Sequence, residues 1–598
     1  MGALDYTADL EDIRFVLFDQ LGVHEELAGI AAYEDFDRDI YDSVLDEAYR
    51  MATEVMHPIN ISGDKEGCSL DAEGNVTTPK GYKAAWDMRA EGGWISVTAP
   101  QAAGGVGMPA AVGMGVIDMF IGSAMAFEMY PGLTAAAANV MFKFGPEAWR
   151  QSYAEKMFAG EWGGTMCLTE AGAGSDVGEN RCKAVPQGDD SFLLEGEKIF
   201  ISGGDQDFTE NILHFVLART PDSPPGTKGL SLFMVPKVLV NDDLSLGERN
   251  GAFVSSIEHK MGINGSATCV VTLGDRLPCK GWLVGEEHQG LKIMFHMMNE
   301  ARIGTGAQGV ALANSAYQYA LAYAKERVQG ASIDNFKDPA APRVAITRHP
   351  DVRRMLMTMK VQSETMRSML YRLGHRHDVA HHDASKKEKY MGRVDLLVPV
   401  LKAYCTDVGF DVCVTGIQVL GGYGYTQEYP MEQLVRDAKI ASVYEGTNGI
   451  QAMDLLARKL RQKGGALLMD WIQDSGKLCT ASMEDFPAEA GALAKAIQHV
   501  GATAMHLGGL GAQGKLDSTL LQATPFLNMF GTVHLGLEAL HQARTAKKVI
   551  AERGETPHLK GKLLNLSFYT SNLLPKAIAL GKSIQVGDES CMDEVLFA

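Results

Sequence analysis

The sequence predicts an α+β protein in which one β domain lies between helical regions. Three observations support this fold class. Apolar residues recur at helical spacing up to about residue 162, β-type runs separated by turn residues fill 163–288, and helical spacing then returns. The chain has 598 residues, of which 46% are hydrophobic and 22% charged, and these values are typical of a globular protein.

The net charge and the cysteine content argue against two classes of protein, nucleic-acid-binding proteins and exported proteins. Asp and Glu together number 74 against 55 Lys and Arg, which gives a net charge of −19. Because an acidic surface repels phosphate backbones, we expect no nucleic-acid partner. The nine cysteines form no C-x-x-C pair, and residues 1–10 lack the basic start of an export signal. We therefore expect a cytoplasmic protein with reduced thiols.

Helices are expected as far as residue 162, divided into an N-terminal extension, 1–35, and a helical domain, 36–162. Pro58 is expected to end a helix, because its ring cannot continue one. Ala110 to Phe127 is almost wholly apolar, but it carries Asp118, a charge that is costly at the centre of a bilayer. We therefore expect a buried helix at this position and no membrane contact.

The β domain, 163–288, is expected to form a compact barrel or sandwich. Its β-type runs alternate with turn clusters, of which Thr-Pro-Asp-Ser-Pro-Pro-Gly at 220–226 is the clearest. The candidate strands are Phe192–Ile201, Ile212–Ala218, Leu230–Val240 and Cys269–Leu273.

Residues 289–465 are expected to form a four-helix bundle, because three or four long helical patterns follow one another with short connections. The predicted helices are Leu291–Arg327, Val352–Leu373, Gly392–Leu420 and Ile450–Gln462. Gly464-Gly465 marks a boundary, and 466–598 is expected to be an additional helical domain.

Two motifs have structural explanations that we prefer. Gly304, Gly306 and Gly309 match G-x-G-x-x-G, but a dinucleotide site needs a preceding strand, and the preceding residues have helical spacing. We interpret these glycines as close-packing positions along a helix. His377 and His381 lie four apart in a segment rich in His and Asp, yet the lysines that follow favour a solvated turn. We therefore expect no metal site.

Three further segments contain residues that could bind a ligand or carry out chemistry. The glycine-rich loop 169–176 offers backbone N–H groups to a pyrophosphate, although a plain turn fits equally well. Phe200 and Ser202 lie two apart on a strand and could flank a flat ring, with a core phenylalanine as the alternative. Glu445 follows an apolar run, and burial there would raise the pKa of its carboxylate towards that of a base useful near pH 7. A carboxylate at a helix N-terminus is the alternative for Glu445.

These motifs, in this order, resemble the acyl-CoA dehydrogenase family over roughly residues 36–465. The resemblance rests on Cys167-Leu168-Thr169-Glu170, Gly174-Ser175-Asp176, Phe200-Ile201-Ser202, Asn299-Glu300-Ala301-Arg302, Lys325-Glu326-Arg327, Gln418 to Tyr425, Arg436 to Ile440 and Tyr444-Glu445-Gly446-Thr447. The family fold is a helical domain, a β barrel and a four-helix bundle, which agrees with the predicted order. The length is similar to that of the long bacterial branch, whose members act on 3-methylmercaptopropionyl-CoA or on medium- and long-chain acyl-CoAs.

The resemblance implies FAD as the cofactor and Glu445 as the catalytic base that removes the α-proton of an acyl-CoA, while the β-hydrogen leaves as hydride to flavin N5. The positions that correspond to FAD contacts are Met166, Leu168, Thr169, Gly174, Ser175, Phe200, Ser202, Arg327, Gln418, Gly422 and Thr447. Those that correspond to substrate contacts are Ser175, Asn299, Arg302, Tyr444 and Gly446. In the family, Arg327, Gln418 and Gly422 match residues that hold the FAD of a neighbouring subunit, which implies a homodimer or a higher homo-oligomer.

Two departures from the family pattern affect expected FAD contacts. Gln329-Gly330 replaces the usual Thr-Phe after the arginine, and Gly449 stands where a glutamine often contacts FAD. The family also implies an electron-transferring flavoprotein as the acceptor. The open alternatives are an acyl-CoA oxidase on the same fold and a flavin-containing binding protein without dehydrogenase activity. We expect residues 466–598 to cover the bundle, with docking to a membrane or a partner as the alternative.

Overall fold

The protein is described by a computed structural model that covers residues 5–598. Residues 1–4, part of the predicted N-terminal extension and of the segment assessed for export, lie outside the described residues. The α-helices within 5–598 are α1 Leu10–Arg14, α2 Val23–Glu26, α3 Arg38–Met51, α4 His57–Glu66, α5 Tyr82–Glu91, α6 Ala110–Phe144, α7 Arg150–Phe158, α8 Gly290–Glu326, α9 Pro350–His382, α10 Ala384–Leu420, α11 Gly422–Tyr425, α12 Met431–Lys439, α13 Asn448–Met453, α14 Ala466–Thr480, α15 Pro487–Ala512, α16 Leu516–Leu521, α17 Ala523–Arg553, α18 Pro557–Asn572 and α19 Leu574–Val586. The strands are β1 Ser69–Leu70, β2 Val76–Thr77, β3 Trp162–Cys167, β4 Lys183–Pro186, β5 Ser191–Ser202, β6 Asn211–Arg219, β7 Leu230–Pro236, β8 Val238–Val240, β9 Leu246–Arg249, β10 Ala252–Ile257, β11 Thr268–Leu273, β12 Cys279–Leu283, β13 Val328–Ala331 and β14 Arg343–Ala345.

The chain divides into two compact units. The helical unit contains the residues up to Asp46, Ala110–Gly122 and Thr305–Ala598, and the barrel unit contains Glu47–Pro109 and Ser123–Gly304. This division follows compactness, whereas the predicted boundaries 1–35, 36–162, 163–288, 289–465 and 466–598 follow the type of element. Those boundaries therefore stay predictions.

The strands of the barrel unit pair into a closed ring. Strand β6 pairs with β7, β7 with β12, and β12 with the first half of β5. Strand β4 closes the ring, because it pairs antiparallel with β5 and in parallel with β6 at Lys183 and Arg219. The second half of β5 instead pairs with β11, which also pairs with β10. The predicted β domain is thus a barrel rather than a sandwich.

Strands β6 and β7 are apolar along their whole length because both of their faces are buried. Phe215 and Met234 point into a cluster shared with α6, α7 and the start of α8, whereas Val216 and Phe233 point into a second cluster inside the barrel. A strand buried on both faces shows no alternation of polar and apolar residues. The four predicted strands are confirmed, except that the third is interrupted at Lys237 and forms β7 and β8.

Helices α8, α9 and α10 form the long part of the predicted bundle in the helical unit. Helices α9 and α10 turn at Asp383, whose carboxylate accepts the N–H of Ser385 at 2.9 Å. Helix α8 is continuous through the G-x-G-x-x-G motif, and a Cβ on Gly309 would lie 2.5 Å from the carbonyl oxygen of Cys405 on α10. The interpretation as close-packing positions is confirmed for Gly306 and Gly309 and is wrong for Gly304, where a Cβ would meet no atom within 4 Å. Residues 466–598 form helices α14 to α19, also as predicted.

The expectation that Pro58 ends a helix is wrong. Helix α3 passes through a π-helical segment, Ala52–Met56, directly into α4, in which Pro58 lies in the first turn. Proline is tolerated there because the N–H groups of a first turn have no partner within the helix. Helix α4 then extends to Glu66.

Helix α6 is the one helix within residues 5–598 that is long and apolar enough to cross a membrane, judged by length and composition. Of its most apolar 18-residue window, 83% is buried in the protein. Asp118 in this helix accepts hydrogen bonds from Arg367 Nε at 2.8 Å and from the Tyr371 hydroxyl at 2.9 Å. Both features are those of the predicted buried helix, since a core helix places such a carboxylate against fixed donors.

A buried charge network joins distant parts of the helical unit. Arg367 on α9 donates to Asp12 on α1 at 2.7 Å and to Asp118 on α6 at 2.8 Å. Lys562 on α18 donates to Asp12 and, at 2.6 Å, to Glu364 on α9. All five side chains are at most 3% exposed. Burial of so many charges is tolerated only because each carboxylate faces a cation.

Candidate active site

The loop that carries Glu445 connects α12 to α13 within the helical unit. A short 3₁₀ turn, Ile440–Ser442, leads into it, and the N–H groups of Val443 and Tyr444 both donate to the carbonyl of Ile440, at 2.9 and 3.0 Å. Glu445 is partly buried. Gly446 follows with φ +70°, a left-handed conformation that favours glycine and lets the chain turn sharply behind the carboxylate.

Three contacts hold this loop close to Glu445. The Tyr444 hydroxyl donates to Gln308 Oε1 on α8, and burial raises the pKa of this phenol to about 12. Gln451 Nε2 donates to the carbonyl of Gly446 at 3.0 Å. Thr447 Oγ1 accepts the N–H of Ile450 at 3.4 Å and caps α13.

Asn448 instead contacts helix α10. Its Oδ1 accepts Lys402 Nζ at 3.0 Å, and its Nδ2 donates to the carbonyl of Ala403 at 3.0 Å and to Asp407 Oδ1 at 2.8 Å. Thr406 Oγ1 lies 3.0 Å from the same Nδ2. The loop and the long helix are therefore tied by one amide side chain.

Three predicted FAD contacts lie on exposed surface of the helical unit. Arg327 follows the end of α8, Gln418 lies near the end of α10, and Gly422 begins α11. The guanidinium carbon of Arg327 lies 6.0 Å from the centre of the Tyr423 ring, which is 44% exposed. A guanidinium at this distance from an aromatic face is held by a cation–π interaction.

In the barrel unit, the loop after β3 is held by a buried lysine. Met166 packs against the apolar cluster beside the barrel, and Leu168, which is 2% exposed, belongs to it. Lys198 on β5 is fully buried, and its Nζ donates to the carbonyl of Leu168 at 3.1 Å and to Glu170 Oε1 at 2.8 Å. The N–H of Ile199 donates to the carbonyl of Thr169 at 2.9 Å. Met166, Leu168 and Thr169 are thereby fixed along β5.

The carboxylate of Glu170 makes further hydrogen bonds that hold the loop after β3. It accepts the N–H of Arg181 at 2.6 Å and that of Cys182 at 3.1 Å, besides Lys198. Burial alone would raise the pKa of Glu170, but the charge of Lys198 and the two N–H groups hold that pKa below its ordinary value. Lys198 also donates to Asn180 Oδ1. We call this set the Lys198 lock.

Phe200 stands out in its backbone. Its φ is +59°, which is rare for a bulky residue, and its side chain is 60% exposed. The cause is a β-bulge: Lys198 pairs with Val271 and Ile201 with Cys269, so residues 199 and 200 face one residue of β11. The alternative of a core phenylalanine is therefore wrong, because the bulge turns the ring towards the surface. Such strain is found mostly at functional positions.

The remaining predicted residues near the barrel differ in exposure. Ser202 lines a small cavity of about 10 Å³, together with Tyr130 and Thr134 on α6. That volume is enough for one water molecule. Gly174 and Ser175 are exposed in the loop after β3, where their backbone and hydroxyl groups are accessible to a ligand.

Asn299 and Arg302 lie on the part of α8 that belongs to the barrel unit. Asn299 is exposed, whereas Arg302 is 8% exposed with its guanidinium carbon 5.7 Å from the centre of the Phe295 ring. Between them, Glu300 accepts Asn139 Nδ2 at 3.2 Å, and burial raises its pKa to about 7. The first part of α8 thus presents an arginine and a carboxyl that titrates near neutrality.

The segment rich in His and Asp shows no metal geometry. Among residues 5–598, no group of three or more His, Cys, Asp or Glu side chains is arranged to hold a metal ion. The rings of His377 and His381 lie 4.2 Å apart, and His381 Nδ1 lies 3.2 Å from the carbonyl of His377. These two residues therefore sit one above the other on α9.

Sequence reasoning missed the residues that hold the two loops. Lys198 and Lys402 are fully buried lysines, and Asn448 and Gln308 are partners of loop residues. One signal was present: Lys198 stands within the predicted strand Phe192–Ile201. A buried lysine in a strand requires an acceptor close by.

Four family models match the chain in consecutive order. They are the acyl-CoA dehydrogenase N-terminal domain at residues 46–161, the middle domain at 165–275, the C-terminal domain at 288–460, and the acetyl-CoA dehydrogenase C-terminal-like model at 469–594. With the helical regions, the closed barrel and the bundle, these matches define the class of protein. The chain belongs to the acyl-CoA dehydrogenase family.

Its relatives match along nearly the whole length. It is 36% identical to the 3-methylmercaptopropionyl-CoA dehydrogenase of Ruegeria pomeroyi, with 96% of this chain and 97% of that protein covered. It is 38% identical to the broad-specificity linear acyl-CoA dehydrogenase FadE5 of Mycobacterium tuberculosis, with 99% of this chain and 100% of that protein covered. The solved structure of an acyl-CoA dehydrogenase complexed with FAD from Bacillus anthracis has the same fold, at TM-score 0.73 and 20% identity over 95% of this chain and 92% of the other.

Proposed function

We propose that this protein is an FAD-dependent dehydrogenase that converts an acyl-CoA thioester into the trans-2-enoyl-CoA, with Glu445 as the base. The observation that carries the proposal is the Glu445 loop. It presents one carboxylate, and its backbone is held by Tyr444, Gln451 and Asn448. A base held in advance at a fixed position is what proton removal from a weakly acidic carbon requires.

The barrel unit offers residues that fit FAD. The ring of Phe200 is exposed by a strained backbone, and the Lys198 lock fixes the backbone of Leu168 and Thr169 beside β5. Gly174 and Ser175 are exposed, with polar groups that suit phosphates. In our proposal, Met166, Leu168, Thr169, Phe200 and Ser202 hold the isoalloxazine. Arg327, Gln418 and Gly422 hold the FAD of a neighbouring copy, and Thr447 adds a further contact.

The residues of this chain divide the reaction between them. The Glu445 carboxylate removes the α-proton, and its own backbone N–H donates to the thioester oxygen, where negative charge develops. Tyr444, Gly446, Asn299 and Arg302 line the substrate, and Ser175 contacts its thioester part. Bound FAD supplies the acceptor for the β-hydrogen as hydride. Exclusion of water from the substrate-binding site strengthens each of these polar contacts.

The substrate and the cellular role follow from the relatives as proposals. We propose either 3-methylmercaptopropionyl-CoA, which would place the enzyme in dimethylsulfoniopropionate catabolism, or a medium- to long-chain fatty acyl-CoA of fatty acid metabolism. We further propose a cytoplasmic homodimer or higher homo-oligomer that passes electrons to an electron-transferring flavoprotein.

Replacement of the base tests the assignment. We expect Glu445→Gln to retain FAD, seen as an unchanged visible spectrum, and to lose acyl-CoA-dependent dye reduction by about 100- to 10,000-fold, the usual contribution of a general base. A panel of acyl-CoAs that includes the sulfur-containing propionyl thioester and the C4 to C16 linear chains identifies the substrate. Wild-type turnover in this variant, or a protein that stays colourless after incubation with FAD, would contradict the proposal.

Oxygen serves as the control acceptor. Turnover with oxygen equal to that with an artificial acceptor would indicate an oxidase on the same fold. FAD binding without reduction by any acyl-CoA would indicate a flavin-containing binding protein.

A further inference from the structure

The loop that carries Glu445 contains a glycine on each side of Asn448. In the segment Tyr444-Glu445-Gly446-Thr447-Asn448-Gly449, Gly446 has φ +70°, and Gly449 is exposed. Glycine restricts the backbone less than any other residue, so this stretch has an intrinsic tendency to move. Only two residues separate Glu445 from Asn448, a span of at most about 10 Å of extended chain. A contact at Asn448 therefore limits where Glu445 can be.

The contact at Asn448 is complete. Its acceptor oxygen takes Lys402 Nζ at 3.0 Å, and its two donor hydrogens have the carbonyl of Ala403 at 3.0 Å and Asp407 Oδ1 at 2.8 Å. An amide side chain accepts through its oxygen and donates through its nitrogen at the same time. A carboxylate at this position would meet Lys402 but would oppose Asp407, and alanine would meet neither.

The partners of Asn448 are rigid. Lys402, Ala403 and Thr406 are at most 1% exposed, and all of them lie within adjacent turns of α10, a helix of 37 residues. Thr406 Oγ1 also donates to the carbonyl of Lys402 at 2.7 Å, within the helix. A site built on a long helix holds its contacts more accurately than one built on a loop.

We propose that Asn448 is a positioning residue for proton removal: its amide, held between Lys402 and Asp407, fixes the glycine-flanked loop so that Glu445 is aligned before the substrate binds. This inference rests on the proposed function, in which Glu445 is the base. Asn448 touches neither substrate nor cofactor in this role. It acts through the backbone of Thr447 and Gly446, and we call its set of contacts the Asn448 clamp.

The test compares three variants of the FAD-loaded full-length protein. Asn448→Asp keeps the shape and the Lys402 contact but places a second carboxylate against Asp407. Asn448→Asp with Asp407→Asn exchanges the two groups and restores a donor–acceptor pair. Asn565→Ala is the matched control. Asn565 lies on helix α18 of the same unit, and its buried amide donates to Glu364 on α9 at 2.6 Å.

Rapid-mixing measurement of flavin reduction separates positioning from stability. For Asn448→Asp we expect the limiting reduction rate at saturating acyl-CoA to fall about 100-fold, the effect of a misaligned base, while the substrate concentration at half-saturation stays within about twofold. The exchange variant should recover about tenfold of this loss. Asn565→Ala should lower the melting temperature and leave the reduction rate unchanged. A wild-type rate in folded, FAD-loaded Asn448→Asp, or no recovery in the exchange variant, overturns the proposal.

Hydrogen exchange keeps the inference separable from the proposed function. We expect the amides of residues 444–449 to exchange faster in Asn448→Asp than in Asn565→Ala, whether or not substrate is present. If no acyl-CoA reduces the wild-type flavin, the proposed function fails and this exchange comparison alone decides the clamp. Equal exchange in the two variants overturns it.

Discussion

Two loops that differ in their contents are each held by a fully buried lysine. In the barrel unit, Lys198 meets the carboxylate of Glu170, whereas in the helical unit Lys402 meets the neutral amide of Asn448. The first loop carries no proposed base, and its own carboxylate, that of Glu170, makes the contact with the lysine. The second loop carries Glu445, the one acidic residue between positions 444 and 450, and Asn448 beside it adds no further negative charge. The loop that carries the proposed base is thus tied to its helix through a neutral amide, whereas the other loop is held through a carboxylate.

Removal of Lys198 should have the largest effect on stability. Lys198→Met leaves the carboxylate of Glu170 buried without its cation, which costs about 3–5 kcal/mol when one partner of a buried pair is lost. Denaturant unfolding of the FAD-loaded protein measures this. The companion variant Lys198→Met with Glu170→Gln should recover most of the loss, because no buried charge is then left. A single variant as stable as wild type would show that the lock does not stabilise the loop.

Removal of Lys402 should cost less. Lys402→Met leaves the amide oxygen of Asn448 without this donor, and an unsatisfied neutral acceptor costs about 1–3 kcal/mol. The same denaturant measurement applies, and FAD content should be unchanged. A loss as large as that of Lys198→Met would break the comparison, because it would mean that Lys402 neutralises a buried charge.

The carboxylates of the two regions should respond to pH in opposite directions. The pKa of Glu170 is lowered, so the lock stabilises the folded state above the ordinary value of 4.5 and loses that contribution as the pH falls through it. The pKa of Asp407 is raised by burial above 3.8, so ionisation of this group reduces stability as the pH rises. We expect the stability difference between wild type and Glu170→Gln to shrink from pH 6 to about pH 3.

The Asp407→Asn variant sharpens the pH comparison. Its stability relative to wild type should improve as the pH rises over the same interval, because asparagine has no charge to bury. Unfolding midpoints measured at each pH provide the test. Parallel pH curves for the two variants would contradict the assigned directions.

The smallest expected effect lies at Phe200. Phe200→Gly removes a left-handed strain of about 1–3 kcal/mol but gives the unfolded chain more freedom, for a net gain of about 1 kcal/mol. Phe200→Ala keeps the backbone strain and should show no such gain. Both variants should bind FAD more weakly, since each lacks the ring. Equal stability of the two variants would indicate that the bulge is unstrained.

The order of elements was predictable from the sequence, and so were the strands buried enough to form continuous apolar runs. Strands β3 and β12 escaped prediction because glycines in Trp162-Gly163-Gly164 and in Cys279-Lys280-Gly281 dilute their pattern. The prediction at Pro58 was wrong because proline is found both at the ends and in the first turns of helices, and the residue alone does not distinguish the two positions.

The site was predictable where a motif lies in one stretch and not where a contact joins distant stretches. Glu445 and Phe200 were proposed from local residues, but the bulge that exposes Phe200 depends on pairing with β11. Lys198 and Lys402 escaped because a lysine in a sequence is assumed to face water. Their partners, Glu170 and Asn448, lie 28 and 46 residues away.

The charge network of the helical unit constrains the order in which the chain matures. Asp12 and Lys562 are 550 residues apart, yet each is fully buried against the other. While the ribosome is still making the C-terminal helices, Asp12 and Glu364 lack the ammonium group of Lys562. The negative charges of these two carboxylates then have one cation fewer to balance them. The first helix of the unit therefore reaches its final environment only after helix α18 has been synthesised.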